Sequence, residues 1–126
     1  ASKGGLINLT QQAALDYGRY RVRCNVVCPG ATNTEMFAEN MGAFARMIGT
    51  SVGDVFARFM KDVPLPRVSR PEETAGICAF LASDDASFIT GAVIPVDGGA
   101  AIVDVSGAVI SDIVRGSRKQ AGGAHG

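Results

Sequence analysis

The sequence shows no excess of charge of either sign. Lysine and arginine together number 12, aspartate and glutamate also number 12, and the formal net charge at pH 7 is zero. Binding of nucleic acid or of an anionic membrane surface requires clustered basic residues. The balance therefore predicts a protein with no nucleic-acid partner and no basic membrane patch.

Long apolar runs and paired cysteines are missing as well. No apolar stretch approaches the roughly 20 residues that cross a bilayer, and the first residues lack the layout of a signal peptide. The three cysteines are an odd number, and Cys24, Cys28 and the distant His125 do not form a converging set of metal ligands. We therefore expect no membrane association, reduced thiols, no metal site and a cytoplasmic protein.

Helical and strand patterns alternate from the first residues onward. Between residues 3 and 17 apolar side chains recur in steps of three and four, which predicts an amphipathic helix that ends at Gly18. Residues 21–28 then have the composition of a strand, and Pro29-Gly30 stops it because this pair continues neither a helix nor a central strand. The positions on the helical stripe are Leu6, Leu9, Ala13 and Tyr17, with Ile7 and Ala14 beside them.

Residues 35–63 differ from the rest of the chain in composition. All four methionines and four of the six phenylalanines lie in this segment. Ser51 and Asp54 stand at the spacing of a capping box, so we expect two short helices, closed by Pro64 and Pro66.

A third helix and a second strand complete the pattern. Ser69 and Glu72 form a helix-start signal, Pro71 lies in the first turn, and apolar residues occupy two faces as far as Ala82. Residues 92–96 form a short apolar strand that suits burial on both faces in a parallel sheet. This order predicts an α/β fold with a doubly wound, Rossmann-like parallel sheet, which binds ligands at the carboxyl ends of its strands.

Four segments, in this order and at these separations, resemble successive motifs of the short-chain dehydrogenase/reductase family. The resemblance covers residues 1–99 and implies the C-terminal half of a Rossmann-like domain, whose N-terminal cofactor-binding strands are missing. It also implies hydride transfer between NAD or NADP and a carbonyl or alcohol. Residues 100–126 form a C-terminal tail, which we expect to be partly disordered. The four segments are ASKGG at 1–5, NVVCPGATNT at 25–34, RPEETA at 70–75 and GAVIPVDGG at 91–99.

Lys3 matches the lysine of that family's Tyr-x-x-x-Lys signature. Residues four apart share a helix face, and a nearby ammonium lowers the pKa of a tyrosine by roughly 1–3 units. The resemblance gives Lys3 this catalytic role and a second role in binding the nicotinamide ribose. The tyrosine would stand two residues before Ala1, and the catalytic serine is missing too, so we expect these 126 residues to be inactive alone. A solvated surface lysine is the alternative.

The loop after the first strand carries the remaining candidate cofactor residues. The resemblance assigns cofactor contacts to Pro29, Gly30 and Thr34. It assigns Thr32 a contact through its backbone only, because the family usually has an apolar residue there. An ordinary strand-ending turn is the alternative.

The insert rich in methionine and phenylalanine corresponds to the family's substrate-binding segment. Methionine is flexible and polarizable, which suits apolar ligands of varied shape. The insert therefore predicts a small apolar ketone or alcohol as substrate, although a plain hydrophobic core accounts for the composition equally well. The candidate substrate residues are Met36, Phe37, Met41 and Phe44.

Family members pack the helix that begins here, and the third helix with the last strand, against partner subunits. Because the third helix is apolar on two sides, we expect a homodimer or homotetramer. Two other hypotheses stay open. A truncated, non-catalytic product would serve as an oligomerisation or interaction module, and a longer parent without the tyrosine would bind the dinucleotide without catalysis. We expect Asp97 to fix the turn after the last strand rather than to act in catalysis.

Overall fold

The computed structural model describes residues 2–103. Of the tail predicted at residues 100–126, the first part forms a 3-10 turn at Ala100–Ile102, and the rest, with its expected partial disorder, lies outside the described residues. Helices and strands alternate in the described part of the chain, and short 3-10 turns follow α1, α4 and β2. None of these helices is both long and apolar enough to cross a membrane. The elements are α1 (Ser2–Tyr17), β1 (Val26–Pro29), α2 (Glu35–Ile48), α3 (Val52–Met60), α4 (Pro71–Ala82) and β2 (Val93–Val96).

The two strands pair in parallel, as the sequence predicts. Val26 lies opposite Val93, and Pro29 lies opposite Val96. The helices α2, α3 and α4 all belong to the connection between the strands, as parallel pairing requires. The α/β class with a parallel sheet is confirmed, and the carboxyl ends of β1 and β2 meet at one edge of the sheet.

The strand predicted at residues 21–28 is wrong in extent, since β1 begins only at Val26. Before it, the side-chain amide of Asn25 donates to the carbonyl of Ile89 at 2.9 Å and accepts from the N–H of Ala92 at 3.0 Å. This side chain therefore satisfies backbone groups that a longer strand pair would satisfy by itself. The parallel ladder starts only after Asn25.

The end of α1 also differs in detail from the prediction. The α-helix stops at Tyr17, as expected, but the chain continues through a 3-10 turn at Gly18–Tyr20. Arg21, rather than Gly18, takes the left-handed conformation, with φ of 63°, and its N–H donates to the Gly18 carbonyl at 2.9 Å. A closing hydrogen bond at the end of the turn holds a conformation that a non-glycine residue rarely adopts.

The face that α1 presents to the sheet coincides with the predicted stripe only in part. Ala14 is buried, and a β-carbon on Gly91, just before β2, would lie 3.6 Å from the Ala14 methyl group. Leu6, Leu9 and Tyr17 of the predicted stripe are 55%, 66% and 53% exposed. The half-buried side chains that accompany Ala14 are Ile7, Thr10 and Ala13.

The two helices predicted in the insert are confirmed. Ser51 caps α3, since its hydroxyl accepts from the Asp54 N–H at 3.0 Å and donates to the Asp54 carboxylate at 2.7 Å. Gly49 ends α2 in the left-handed conformation, with φ of 70°. The chain thereby reverses within three residues, and α2 and α3 pack together as a hairpin.

The predicted N-cap of α4 is wrong by one residue. Pro71 is the first helical residue, but the cap is Arg70 rather than Ser69. Glu73, rather than Glu72, bonds back to the cap, because its carboxylate accepts from the Arg70 N–H at 2.8 Å. Ser69 is thus free to bond elsewhere.

Within residues 2–103 the buried core is small. No large side chain is fully buried, and the strand predicted to be covered on both faces has Val93 at 38% exposure. The helix predicted from Ser69 onward, α4, is covered on one side only: Ile77 and Leu81 are half-buried. Its alanine side is exposed, and consists of Ala75, Cys78, Ala79 and Ala82. The buried apolar residues are Ala14, Val26, Ala45, Val55 and Ala86.

Candidate functional site

The carboxyl ends of β1 and β2 meet at Gly30 and Asp97. The Gly30 N–H donates to the Val96 carbonyl at 3.0 Å, which extends the ladder by one step past Pro29. A β-carbon on Gly30 would lie 2.8 Å from the α-carbon of Asp97. Only glycine at position 30 allows the ends of β1 and β2 to approach so closely.

Asp97 organises the turn after β2, as the sequence predicts. Its carboxylate accepts from the N–H of Gly99 at 3.0 Å and from the N–H of Ala101 at 2.8 Å. Gly98 and Gly99 both have positive φ, at 65° and 88°. The carboxylate therefore serves two backbone donors of its own turn, which is a structural role.

Thr32 and Ser69 face each other across a single parallel bridge. Their hydroxyl oxygens lie 2.9 Å apart, and the Thr32 hydroxyl is also 3.2 Å from the Gly30 carbonyl. The Ser69 hydroxyl donates to the Ala31 carbonyl at 3.2 Å. Residues 30–32 are thus bonded to the segment that precedes α4.

Thr34 is the N-cap of α2. Its backbone is extended, with φ of −128° and ψ of 159°, and its hydroxyl oxygen accepts from the Phe37 N–H at 3.2 Å. That bond uses the oxygen as an acceptor and leaves the hydroxyl proton available to donate. Thr34 is exposed, so the proton can reach a bound group.

Several backbone donors of the same loop lack acceptors. Among residues 2–103, the N–H groups of Ala31, Thr32 and Thr34 have no hydrogen-bond partner, whereas the N–H of Asn33 donates to the Ser69 carbonyl at 2.8 Å. Unpaired N–H groups next to a helix N-terminus carry a partial positive charge and attract oxygen acceptors. The loop is therefore chemically suited to an anionic or carbonyl-bearing ligand.

Lys3 lies in the first turn of α1 and is exposed. Ala14, eleven residues further along the helix, touches the sheet beside Gly91 at the amino end of β2. At about 1.5 Å per residue, Lys3 lies about 16 Å from Ala14 along the helix axis. Its role in catalysis and ribose binding stays a prediction.

The candidate substrate residues divide into two groups. Phe37 and Phe44 join the two insert helices, because the ring of Phe37 meets that of Phe56 edge-on at 5.5 Å and the ring of Phe44 meets that of Phe59 at 6.4 Å. Met36 is 70% exposed, and Met41 is half-buried. The phenylalanines thus pack the hairpin, and substrate binding by the four residues stays a prediction.

A cavity of about 300 Å³ opens beside the carboxyl end of β2, between the end of the insert and the turn at Asp97. None of the four candidate substrate residues lines it. Phe44 lines a different hollow, between α2 and α3, with Ile48, Val55 and Phe59. The apolar residues that line the first cavity are Ala31, Met60, Val63, Leu65, Pro95, Val96 and Ala100.

An ion pair closes one side of this cavity. The Arg67 guanidinium donates two hydrogen bonds to the Glu73 carboxylate, at 2.7 and 2.8 Å. These bonds, with the further bond from the Arg70 N–H, lower the pKa of Glu73 to about 2. The same pairing raises the pKa of Arg67. Because each charge is matched by the other, the pair serves to fasten the segment before α4 to its first turn.

Residues 1–101 match the family model described as enoyl-(acyl carrier protein) reductase. The chain belongs to the short-chain dehydrogenase/reductase family. This confirms the resemblance drawn from the four sequence motifs, and the family consists of oxidoreductases with a Rossmann-like fold.

Other members of the short-chain dehydrogenase/reductase family agree in sequence and in structure. The meso-2,3-butanediol dehydrogenase of Serratia marcescens is 44% identical over 104 residues, which are 82% of this chain and 37% of that protein. A short-chain dehydrogenase family protein of Francisella tularensis superposes with a TM-score of 0.76 at 37% identity, over 80% of this chain and 42% of that one. A 4-hydroxyisoleucine dehydrogenase solved with NADH superposes with a TM-score of 0.66 at 28% identity. The match covers 82% of this chain and 38% of that one. The chain thus spans less than half the length of these relatives.

Sequence reasoning missed Ser69. It assigned this residue to a helix cap, whereas the structure bonds it to the loop that carries Thr32. The only sequence signal for this contact is that both residues carry hydroxyls, and nothing in their separation of 37 positions links them.

Proposed function

We propose that the polypeptide carrying this chain is an NAD- or NADP-dependent oxidoreductase that transfers hydride between the nicotinamide and the carbonyl or alcohol of a small apolar substrate. The observation that carries the proposal is the loop from Pro29 to Thr34. It follows a parallel strand, begins at the point where two strands end together, and offers backbone donors without acceptors. Dinucleotides bind at such edges of α/β sheets.

The chemistry of the loop fits a nicotinamide dinucleotide. The free N–H groups of Ala31 and Thr32 suit the carboxamide oxygen, and the hydroxyl proton of Thr34 at the start of α2 suits the diphosphate. Thr32 would contribute its backbone, since its hydroxyl is already bonded to Ser69 and Gly30. When bound, the cofactor supplies the hydride chemistry, and these residues bind and orient it.

Lys3 is proposed to bind the ribose hydroxyls and to favour the phenolate of a tyrosine four residues before it. A helix that precedes a strand of the same α/β unit usually runs opposite to that strand. The contact of Ala14 at the amino end of β2 agrees with this direction, which brings the first turn of α1 toward the carboxyl edge of the sheet. A catalytic lysine and the cofactor loop would then lie at the same edge.

The proposed substrate is an apolar ketone or alcohol that contacts the insert. Met36, one residue into α2, follows Thr34 closely and is 70% exposed. Phe37, Met41 and Phe44 continue the same helix. An exposed thioether next to a cofactor-binding turn provides adaptable apolar contact for a small ligand.

Assembly into a homodimer or homotetramer is part of the proposal. Large apolar side chains of α1 and the alanine side of α4 are exposed within residues 2–103. A face of small residues permits close packing of helices. The remainder of the polypeptide and a second subunit are both candidates to cover these faces. A cytoplasmic location stays a prediction.

The same exposure favours one alternative, in which the chain acts as a non-catalytic interaction module. Leu9 and Leu15 of α1 are 66% and 77% exposed, and apolar surface of this kind marks interaction sites. The two proposals differ in their consequence for dinucleotide binding. Only the oxidoreductase requires it.

The test is turnover by the protein as its source makes it. Purified protein, with its mass and N-terminal sequence determined, is mixed with NADH or NADPH and a panel of apolar ketones, and absorbance at the nicotinamide band is followed. Consumption of either cofactor that depends on the ketone supports the oxidoreductase. Binding of intact family members, with no binding of either dinucleotide, supports the interaction module instead.

A further inference from the structure

Four hydrogen bonds join Ser69 to the candidate cofactor loop. The Ser69 N–H donates to the Ala31 carbonyl at 2.9 Å, and the Asn33 N–H donates to the Ser69 carbonyl at 2.8 Å. The Ser69 hydroxyl adds contacts of 2.9 Å with the Thr32 hydroxyl and 3.2 Å with the Ala31 carbonyl. Both the backbone and the side chain of Ser69 therefore hold residues 31–33.

The hydroxyl protons of Thr32 and Ser69 are both used within this contact. Each hydroxyl has one proton to donate. If Thr32 donates to the Gly30 carbonyl, Ser69 donates to the Thr32 oxygen; if Thr32 donates to Ser69, then Ser69 donates to the Ala31 carbonyl. In either arrangement the Thr32 hydroxyl has no proton left to donate to a ligand, and its proton serves the loop itself.

The segment that carries Ser69 is itself held at both ends. The Leu65 N–H donates to the Gly98 carbonyl at 3.0 Å, which fastens the start of the segment to the turn after β2. The doubly bonded pair of Arg67 with Glu73 fastens its end to the first turn of α4. The segment that carries Ser69 is thus fixed at one end to the turn after β2 and at the other end to α4.

We propose that Thr32 and Ser69 are a positioning pair that holds residues 30–34 in the conformation that accepts the dinucleotide. The inference rests on the proposed function and deepens it. The pair holds the backbone at Ala31 and Thr32, whose N–H groups have no partner within residues 2–103. It also fixes the extended backbone that lets Thr34 cap α2. Neither hydroxyl touches the reacting atoms, so both residues position the loop and are not catalytic.

The test uses substitutions that remove one hydroxyl and leave the shape of the loop unchanged. Thr32→Val and Ser69→Ala, singly and together, are compared with Thr32→Ser, which retains the hydroxyl. Ser83→Ala is the matched control, because the Ser83 hydroxyl donates to the Phe80 carbonyl at 2.7 Å at the far end of α4. The dissociation constants of NADH and NADPH are measured by fluorescence for the wild type and for each variant. All are prepared at the chain length that the protein has in its natural source. Amide exchange of residues 29–35 is measured without ligand.

Each single variant is expected to raise the dissociation constant about fivefold, the size of one hydrogen bond, with a smaller change in kcat. The double variant should bind about as weakly as either single one, since both remove the same contact. Exchange at Asn33 should rise in the same variants, and Thr32→Ser and Ser83→Ala should resemble the wild type.

The outcomes separate the inference from the proposed function. If the wild type binds neither dinucleotide, the proposed function fails and the inference fails with it. If the wild type binds one and the hydroxyl-lacking variants bind it equally well, the inference alone is overturned. Faster exchange without weaker binding also overturns it, because the contact would then stabilise the fold without positioning the loop.

Discussion

Gly30 and Asp97 approach each other so closely that a β-carbon on Gly30 would stand 2.8 Å from both the α-carbon and the β-carbon of Asp97. These two residues follow the carboxyl ends of β1 and β2. Their contact determines where the loop after β1 leaves the sheet. Real β-carbons do not tolerate such distances, so a side chain at position 30 must displace one of the two strand ends.

The Gly30→Ala substitution is therefore expected to lower the free energy of unfolding by about 1–3 kcal/mol, the usual cost of overpacking. Denaturant unfolding measures it. Gly53→Ala is the matched control: a β-carbon there meets only the Ser51 hydroxyl, at 3.7 Å, within a helix that favours alanine. Equal stability of the two variants would contradict the close contact.

Removal of the Thr34 hydroxyl is expected to have two separable effects. Thr34→Ala removes the cap of α2 and should cost about 1 kcal/mol of stability. Ser51→Ala removes the corresponding cap of α3 and should cost a similar amount. Only Thr34→Ala should also weaken dinucleotide binding, by about five- to tenfold for the loss of a hydrogen bond to a charged group. Equal dinucleotide affinity of the two variants would show that Thr34 is only a cap.

The Glu73–Arg67 pair predicts a dependence of stability on pH. The pKa of Glu73 is lowered from 4.5 to about 2 in the folded chain. Its contribution is therefore fully present above the unfolded pKa of about 4.5, and it is lost as pH falls through the folded value near 2. Glu73→Gln should remove the part of the acid-induced loss that falls between pH 4.5 and pH 2.

Thermal unfolding at a series of pH values between 2 and 7 measures this dependence. Glu72→Gln is the control, since Glu72 is the neighbouring exposed acid in the same helical turn. If Glu72→Gln flattened the profile as much as Glu73→Gln, the assignment to the Arg67 pair would be wrong.

Lys3→Met should lower turnover strongly and leave the fold unchanged. Lys3 is exposed in the first turn of α1, so its loss removes no packing. If it tunes a catalytic tyrosine and binds the ribose, kcat should fall by about 100-fold or more. Lys61→Met, in the turn after α3, replaces a second lysine and should retain activity. An unchanged kcat in Lys3→Met would show that Lys3 is a surface lysine without a catalytic role.

The element order and the parallel pairing could be predicted from the sequence because they follow from local composition. The choice of helix face could not. Apolar residues surround α1, so the packing of Ala14 rather than Leu6 against the sheet depends on where the strands lie. The start of β1 depends on the Asn25 side chain, which takes over backbone partners at Ile89 and Ala92.

The candidate site was predictable to the same limited degree. The strand end at Pro29-Gly30 has a local signal, whereas the cofactor contacts of Pro29, Gly30 and Thr34 were assigned through the resemblance and stay predictions. Ser69 was missed because its partner is distant in sequence and because its own local signal pointed to a cap that Arg70 provides instead. A contact between two hydroxyl groups that are far apart in the sequence leaves no periodic pattern in the sequence.

Dinucleotide binding is the measurement that tests the central claim most directly. The protein as its source makes it is titrated with NADH and with NADPH, and nicotinamide fluorescence is recorded for the wild type and for Thr34→Ala. The account predicts saturable binding of at least one dinucleotide, weakened by Thr34→Ala and unchanged by Ser51→Ala. Absence of binding by the wild type would contradict it and would leave the exposed apolar helices, rather than the loop after β1, as the functional surface.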